Sequence, residues 1–275
     1  MQEKQKAAAR IGDRFSRDFA KFYAVPGMIS ENLEFFRLYS NLVWKMDVLI
    51  DDVPEWKTFL RPEAESIHNA RRGAYSPTDV SKFGPVMDFV LEAQETYTEL
   101  WDEVKALFGS SSSQVMEIVD EGIHQYIYNT NALAMLGNPE AWTAKYSLED
   151  YIQMRRWTSG VDPLLRCFWV GLGVLPKDGQ VMDTCIAAGL VNDLYDYMRD
   201  KETSKQLSVW HYFDTVDDAV EFVRSLYHEI YNRVGPNFRL FLDYTMKYQQ
   251  DRRTQEGRGF NLEWYQKLNS NFNHL

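Results

Sequence analysis

Apolar residues recur at helical spacing along most of the chain. Ile11, Phe15, Phe19 and Phe22, for example, return every three or four positions, as residues on one face of a helix do. No segment shows the strict alternation of apolar and polar residues that is typical of a half-buried strand. The pattern predicts helices, in chain order, at 10–24, 31–50, 83–108, 115–136, 147–165, 181–202, 216–234 and 236–253.

Turn-forming residues separate the predicted helices. Gly109 and the serines that follow it are expected to form a short linker. Ser147 and Asp150 have the spacing of a capping box at the start of a helix, and residues 171–179 are expected to form a turn. A polar segment at 57–82 is expected to form loops with a short helix. Because the chain shows no strand alternation, no Gly-rich phosphate loop and no βα repeat, we expect an all-α fold of roughly ten helices in a single domain. The domain is expected to span residues 1–275, with flexible tails at 1–10 and 266–275.

Asn192 opens a polar stretch that directly follows an apolar run, with no proline or turn cluster between them. We therefore expect one continuous helix that leads from a buried base into a polar site. Asn192, Asp196 and Asp200 are four residues apart, and each such step turns the side chain by only about 40° around a helix. They share one stripe, whose oxygen atoms suit a hard cation such as Mg²⁺. Arg199 and Lys201 flank it, as a metal-bound phosphate would require. The alternative interpretation is a solvated acidic face.

A second acidic cluster ends the helix predicted at 31–50. Asp51 and Glu55 are four residues apart and share a helix face, and Asp52 follows Asp51 directly. Carboxylates this close repel one another unless a cation lies between them. Acidic pairs are common on protein surfaces, but this one follows an apolar helix, where the rim of a cavity is expected. We interpret it as a second set of metal ligands.

A predicted helix break follows two adjacent arginines. Arg155 and Arg156 come just before Thr158-Ser159-Gly160, and this run together with Pro163 can interrupt a helix. A broken helix exposes backbone carbonyls toward a cavity, and an arginine beside it can bind a phosphate with its planar guanidinium. The alternative is a surface arginine pair before an ordinary kink.

Together, these three features resemble the class I terpene synthases of the microbial, single-domain type. Residues 51–55 resemble that family's aspartate-rich motif. Residues 192–200 resemble its second metal motif, with Asp196 where Ser or Thr is usual and Asp200 where Glu is usual. The resemblance runs from about residue 15 to about residue 265. It implies a helical bundle around a central active-site cavity. It also implies three Mg²⁺ ions, held by Asp51, Asp52, Glu55, Asn192, Asp196 and Asp200.

The resemblance implies further roles near the break and the stripe. Arg156 matches the diphosphate-sensing arginine, Ser159 and Gly160 match the linker and effector positions, and Arg199 matches the basic residue before the last metal ligand. Arg155 lies about 100° around the helix from Arg156 and is expected to face elsewhere. The basic residues expected to bind the diphosphate are Arg156, Arg199 and Lys201.

A carbocation formed from a prenyl diphosphate needs a dry pocket lined by aromatic faces. The family's C-terminal tryptophan region resembles residues 261–265 of this chain. For each candidate aromatic residue, plain core packing is the alternative interpretation. The candidate pocket residues are Tyr195, Phe168 and Trp264, with Trp44, Tyr126 and Trp169.

The function implied is that of a Mg²⁺-dependent terpene cyclase. Such an enzyme ionises a linear prenyl diphosphate, cyclises the carbocation and releases diphosphate. We favour farnesyl diphosphate as the substrate, with geranylgeranyl diphosphate as the second choice, and a homodimer is a further expectation from the family. A trans-prenyltransferase of the same fold is one alternative, although it would normally show two Asp-Asp-x-x-Asp motifs. A non-catalytic helical interaction protein is the other.

The composition of the chain limits which binding partners and cellular locations are expected. The net charge of −10 argues against a nucleic-acid partner, because phosphate backbones need a basic surface. The longest apolar run, residues 167–175, is too short to span a membrane, and the N-terminus shows no hydrophobic signal region. Cys167 and Cys185, the two cysteines, lie in apolar surroundings and are read as core thiols. We therefore expect a soluble, cytoplasmic protein.

Overall fold

The computed structural model describes residues 87–118, 120–122, 139–171, 178–203, 207–251 and 261–272. Within these ranges the chain forms α-helices, short 3-10 turns and connecting residues, and no strand. The all-α prediction is therefore confirmed for this part of the chain. The helices predicted at 10–24 and 31–50 lie outside the described residues.

The helices follow the predicted order closely. The predicted linker at 109–113 is shorter than expected, because a 3-10 turn at Gly109–Ser111 leads directly into helical residues 112–118 and 120–122. A second 3-10 turn lies at Val209–Tyr212. In the described residues the α-helices with defined bounds are α1 Met87–Phe108, α2 Pro139–Thr143, α3 Leu148–Thr158, α4 Val161–Gly171, α5 Asp178–Tyr195, α6 Tyr197–Thr203, α7 Val216–Arg233, α8 Pro236–Gln250 and α9 Leu262–Phe272.

Local sequence signals explain where α3 begins and ends. The predicted capping box is present, since the Ser147 hydroxyl accepts from the Asp150 N–H at 3.2 Å and the Asp150 carboxylate accepts from the Ser147 N–H at 2.9 Å. These bonds satisfy two of the backbone groups that a helix start leaves without partners. At the other end, Gly160 has a φ of 69°, a left-handed conformation that glycine adopts without a steric penalty. The helix therefore breaks at the predicted position.

The described residues fall into two compact units. The first contains α1, the helical residues up to 122, and α4 from Pro163 onward. Its buried apolar side chains come from both parts of the chain: Leu100, Val104, Met116, Leu165, Phe168 and Trp169. The second contains the remaining described residues. The expectation of a single domain stays a prediction.

Helix α5 is the centre of the second unit. Every residue from Thr184 to Val191 is buried, and α3, α7 and α8 all pack along the helix. A helix that is apolar on all sides is typical of such a central position. Cys185 is a buried free thiol here, as predicted.

The C-terminal segment differs from its prediction. Residues 266–272 were expected in a flexible tail, but they belong to α9, and Leu268 and Phe272 are buried. The reason is that Trp264, Leu268 and Phe272 are four residues apart and form one apolar helix face. Among the described helices, none combines the length and the apolar character that crossing a membrane demands.

Candidate functional site

The stripe Asn192, Asp196 and Asp200 lies where α5 passes into α6. The expectation of one continuous helix is wrong here, because a turn at Asp196 separates the two helices. The backbone N–H of Asp196 nevertheless donates to the Asn192 carbonyl at 3.0 Å, and that of Asp200 donates to the Asp196 carbonyl at 2.9 Å. Because these bonds keep the spacing of an α-helix, the three side chains stay in line, as their sequence spacing predicts.

The two carboxylates of the stripe are buried and bonded. Asp196 is 5% exposed and Asp200 is 3% exposed, so the interpretation as a solvated acidic face does not hold. The Arg199 guanidinium bridges the pair, donating from Nη2 to Asp196 Oδ2 at 3.2 Å and from Nε to Asp200 Oδ1 at 3.1 Å. Asn192 Nδ2 also donates to Asp196 Oδ2 at 3.2 Å, and Ser208 Oγ donates to Asp200 Oδ2 at 3.2 Å.

The electrostatics of this pair favour a cation. Burial and the neighbouring Asp196 carboxylate both raise the pKa of Asp200, Arg199 acts in the opposite direction, and the resulting pKa is about 6. Two carboxylates that contact one guanidinium lie close enough for a single cation to contact both, and Arg199 alone leaves one negative charge uncompensated when both are ionised. The sequence-predicted ligands Asp196 and Asp200 are therefore brought together.

A second network, centred on Asp193, lies beside the stripe and was not predicted. Arg155 donates to Asp193 Oδ1 from Nε at 2.7 Å, and its Nη2 lies 2.6 Å from the same oxygen. The other oxygen, Oδ2, accepts from the Tyr151 hydroxyl and from the Val209 N–H, the latter at 3.2 Å. Burial alone would lower the pKa of Arg155, but the Asp193 carboxylate more than offsets it and the pKa is raised. The Arg155 guanidinium is therefore charged. Burial raises the pKa of the Asp193 carboxyl, and Arg155 together with the hydrogen bonds to this carboxylate acts in the opposite direction.

Arg155 also reaches the stripe itself. Its Nη2 lies 3.5 Å from Asn192 Oδ1, and its Nη1 lies 3.4 Å from Thr158 Oγ1, at the end of α3. The expectation that Arg155 faces elsewhere is wrong in this respect. The physical reason is that the face of α3 that packs on α5 includes Arg155, where the buried Asp193 carboxylate attracts its guanidinium.

Arg156, the predicted diphosphate sensor, lies in different surroundings. Its guanidinium carbon is 4.1 Å from the centre of the Trp157 ring, and its buried Nε bonds to none of the described residues. Just beyond it, Ser159 Oγ accepts from the Val161 N–H at 3.3 Å. Ser159 also lies against α5, since a Cβ added at Gly189 would be 2.8 Å from Ser159 Cβ.

The predicted aromatic residues of the second unit fix α9 to α5. Tyr195 donates from its hydroxyl to Asn269 Oδ1 at 2.7 Å, and Trp264 Nε1 donates to the Leu194 carbonyl at 2.8 Å. The latter bond satisfies a carbonyl in the last turn of α5, which has no intrahelical partner. Both side chains are buried, so they contribute to packing whatever else they do.

Two further predicted residues, Lys201 and Phe168, lie within the described ranges. Lys201 is exposed, with its Nζ 5.5 Å from the centre of the Tyr197 ring. Phe168 is buried in the first unit, edge-on to Trp169. The predicted residues that lie outside the described ranges are Asp51, Asp52, Glu55, Trp44 and Tyr126.

The donor atoms decide how well a metal fits. Over the described ranges, no group of three or more His, Cys, Asp and Glu side chains is arranged to hold a metal ion. The stripe itself offers two carboxylates and one amide, all of them oxygen donors of the kind Mg²⁺ prefers. Asn192 Oδ1 faces Arg155 and its Nδ2 faces Asp196. The amide would have to rotate to present its oxygen to an ion beside the carboxylates.

Comparison of the chain with models of known protein families gives no match, and comparison with curated protein sequences gives none either. The described residues define a helical protein whose central helix ends in a buried cluster of carboxylates and arginines.

Proposed function

We propose that the protein is a Mg²⁺-dependent terpene cyclase. It would ionise a linear prenyl diphosphate, with farnesyl diphosphate favoured over geranylgeranyl diphosphate, cyclise the carbocation and release diphosphate. The observation that carries the proposal is the line Asn192, Asp196 and Asp200, in which two buried carboxylates are bridged by Arg199. Buried, clustered titratable groups with one charge partner are typical of functional sites.

The three residues of the stripe would hold one divalent ion through their oxygen atoms. When bound, such an ion stabilises the charge that develops on a departing diphosphate. Arg199 contacts both carboxylates, and its single positive charge offsets only one of their two negative charges. With an ion held by the two carboxylates, the Arg199 guanidinium would be available to donate two N–H groups to a diphosphate oxygen. Asp51, Asp52 and Glu55 form the second half of the proposed metal site.

The surroundings of the stripe also limit the access of water. Ser208 and Val209 are buried, and they bond to Asp200 and Asp193 respectively. The chain that follows α6 therefore covers this side of the cluster. Exclusion of water strengthens the electrostatic interactions of the site and protects a carbocation from being quenched.

Product analysis tests the proposal. The purified protein is incubated with geranyl, farnesyl or geranylgeranyl diphosphate, with Mg²⁺ or with a chelator, and the products are separated by gas chromatography. We expect a cyclic hydrocarbon or alcohol, together with free diphosphate, only when Mg²⁺ is present. A longer prenyl diphosphate would indicate a trans-prenyltransferase. Absence of any product from all three substrates would contradict catalysis and favour an interaction protein.

Substitutions test the role of the stripe. Asn192→Ala and Asp200→Ala are expected to remove turnover more completely than Asp52→Ala. The stripe supplies most ligands of one ion, whereas adjacent Asp51 and Asp52 cannot both point the same way along a helix. Diphosphate release is measured for each variant, alongside circular dichroism to establish that the variant is folded. Turnover in the stripe variants equal to that of the wild type would contradict the assignment.

A further inference from the structure

We infer that Arg155 is a positioning residue for the proposed reaction. Together with Asp193, it would hold the broken end of α3 against the part of α5 that carries Asn192. The inference rests on the proposed function, because it concerns the geometry of the same metal stripe. It assigns a role to an ion pair whose two members are not themselves among the proposed metal or diphosphate ligands.

The Arg155 guanidinium contacts residues of both helices. Its Nε and Nη2 hold Asp193 Oδ1 at 2.7 and 2.6 Å, Nη1 approaches Thr158 Oγ1 at 3.4 Å, and Nη2 approaches Asn192 Oδ1 at 3.5 Å. Three residues from two helices thus meet at one side chain. A planar fork of five N–H donors can do this, whereas a lysine ammonium cannot hold the same directions at once.

Asp193 is connected to both ends of the stripe. Asp193 follows Asn192 directly on α5. Its Oδ2 accepts from the Val209 N–H, and the preceding residue, Ser208, donates to Asp200. A shift of the Asp193 carboxylate would therefore disturb both ends of the stripe, Asn192 through the backbone and Asp200 through Ser208.

Helices α3 and α5 are in close contact at the break. Ser159 lies so close to Gly189 that an added Cβ would be 2.8 Å from Ser159 Cβ and 3.2 Å from Arg155 Cγ. Little space is left for α3 to slide independently of α5 at this level. The ion pair and the close approach together make the end of α3 and the start of the stripe one packed element.

A purely structural ion pair is the competing explanation, and it makes a different prediction. Such a pair would change the stability of the fold but leave the metal affinity of the folded protein unaltered. Partners that orient metal ligands, in contrast, typically change metal affinity or activity by about 10- to 100-fold when they are removed. Metal affinity is therefore the deciding measurement.

The experiment compares Arg155→Lys with Arg233→Lys. Arg233 of α7 forms an ion pair at 2.9 Å with Asp183, which lies on α5 as Asp193 does. Neither Arg233 nor Asp183 contacts the stripe. Binding of Mn²⁺ to the metal-depleted proteins is followed by electron paramagnetic resonance. We expect Arg155→Lys to weaken Mn²⁺ binding by about tenfold or more. Arg233→Lys is expected to stay within about twofold of the wild type, because exposed pairs contribute little.

Steady-state kinetics add a second readout. With farnesyl diphosphate, Arg155→Lys should lower kcat while KM changes little, since Arg155 is not expected to touch the substrate. Thermal unfolding of each variant shows whether the protein is folded at the assay temperature. Should Arg155→Lys fail to fold, Tyr151→Phe replaces it, because that change removes only the hydroxyl that donates to Asp193.

The outcomes separate this inference from the proposed function. Wild-type protein that binds no Mn²⁺ would overturn both. Wild-type protein that binds Mn²⁺, together with a folded Arg155→Lys or Tyr151→Phe variant of unchanged affinity and kcat, would overturn only the positioning role. Weakened Mn²⁺ binding in the Arg155 or Tyr151 variant, with the Arg233 variant unaffected, supports it.

Discussion

Each half of helix α5 contributes one aspartate to an ion pair with an arginine of another helix, and the two ion pairs differ in their surroundings. Asp183 pairs with Arg233 of α7, with side chains 26% and 52% exposed, and Arg233 also bonds to Glu229. Asp193 pairs with Arg155 of α3, with side chains 1% and 14% exposed. The first pair lies on the surface, while the second lies among buried residues beside the candidate site.

The contrast shows what a buried pair demands. An exposed pair of charges keeps most of its hydration and contributes about 0–1 kcal/mol. A buried pair loses that hydration and is stable only when its remaining hydrogen-bonding capacity is satisfied. Asp193 meets this condition through Tyr151 and the Val209 N–H. Such pairs are poor stabilisers compared with apolar residues, so its presence beside the stripe favours a role in the geometry of a site.

The largest effect is expected for Asp193→Ala. Removal of the carboxylate leaves the Arg155 guanidinium without its charge partner at a nearly buried position, which costs about 3–5 kcal/mol. Urea denaturation followed by circular dichroism measures the loss. A decrease in the free energy of unfolding of less than about 1 kcal/mol would mean that the buried pair behaves like a surface pair.

Asp200 should make the stability of the cluster depend on pH. Its pKa is raised in the folded state to about 6, compared with about 3.9 in an unfolded chain. The protonated form is therefore favoured by folding, so the stabilisation is complete below about pH 4 and is lost as the pH rises through about 6. The shift corresponds to about 3 kcal/mol. Between about pH 4 and pH 7, the free energy of unfolding of the wild type should fall by about this amount relative to that of Asp200→Asn, as measured by urea denaturation at each pH. Parallel plots of the free energy of unfolding against pH for the two proteins would contradict the raised pKa of Asp200.

Two glycines of α5 allow a comparison of packing. Gly189→Ala would place a methyl group 2.8 Å from Ser159 Cβ, and such overpacking typically costs about 1–3 kcal/mol. Gly179→Ala meets nothing within 4 Å and should stabilise the helix by about 0.5–1 kcal/mol. Thermal unfolding of both variants and of the wild type measures these changes in stability. Equal effects would argue against a close contact between α3 and α5 at the break.

The smallest effect is expected for Asp183→Ala. Arg233 keeps its bond to Glu229 and its access to water, so the loss should be about 0.2–1 kcal/mol. The same urea denaturation applies, and the effect should shrink further in high salt because exposed charges are screened. A loss approaching that of Asp193→Ala would remove the distinction between the two pairs.

Much of the fold in the described residues follows from local sequence. The capping box at Ser147, the break at Gly160 and the stripe from Asn192 to Asp200 each depend on residues that are close together in the sequence, although the stripe spans the turn between α5 and α6. The burial of Leu268 and Phe272 was missed, although their four-residue spacing from Trp264 is a signal of an apolar face.

The Asp193 network was harder to predict, because the partners of this α5 residue come from two other segments of the chain. Tyr151 and Arg155 lie on α3, and Val209 lies in the 3-10 turn that follows α6. Which of two adjacent arginines meets α5 depends on how the helices rotate against each other, and spacing within α3 does not fix that rotation. One signal was present: Asp193 is the only charged residue from 184 to 195. A lone carboxylate in such a run needs a cationic partner when it is buried.

The central claim is that the stripe acts on a prenyl diphosphate through a divalent ion. The most direct test is the release of diphosphate from farnesyl diphosphate, with and without Mg²⁺, by the wild type and by Asn192→Ala. Asn192 is a suitable position because it lies on the stripe but is uncharged, so its replacement leaves the ion pair of Arg155 with Asp193 and those of Arg199 with Asp196 and Asp200 in place. The account predicts Mg²⁺-dependent release by the wild type and a loss of at least about 100-fold in the folded variant. Release that is absent in the wild type, or equal in both proteins, would contradict it.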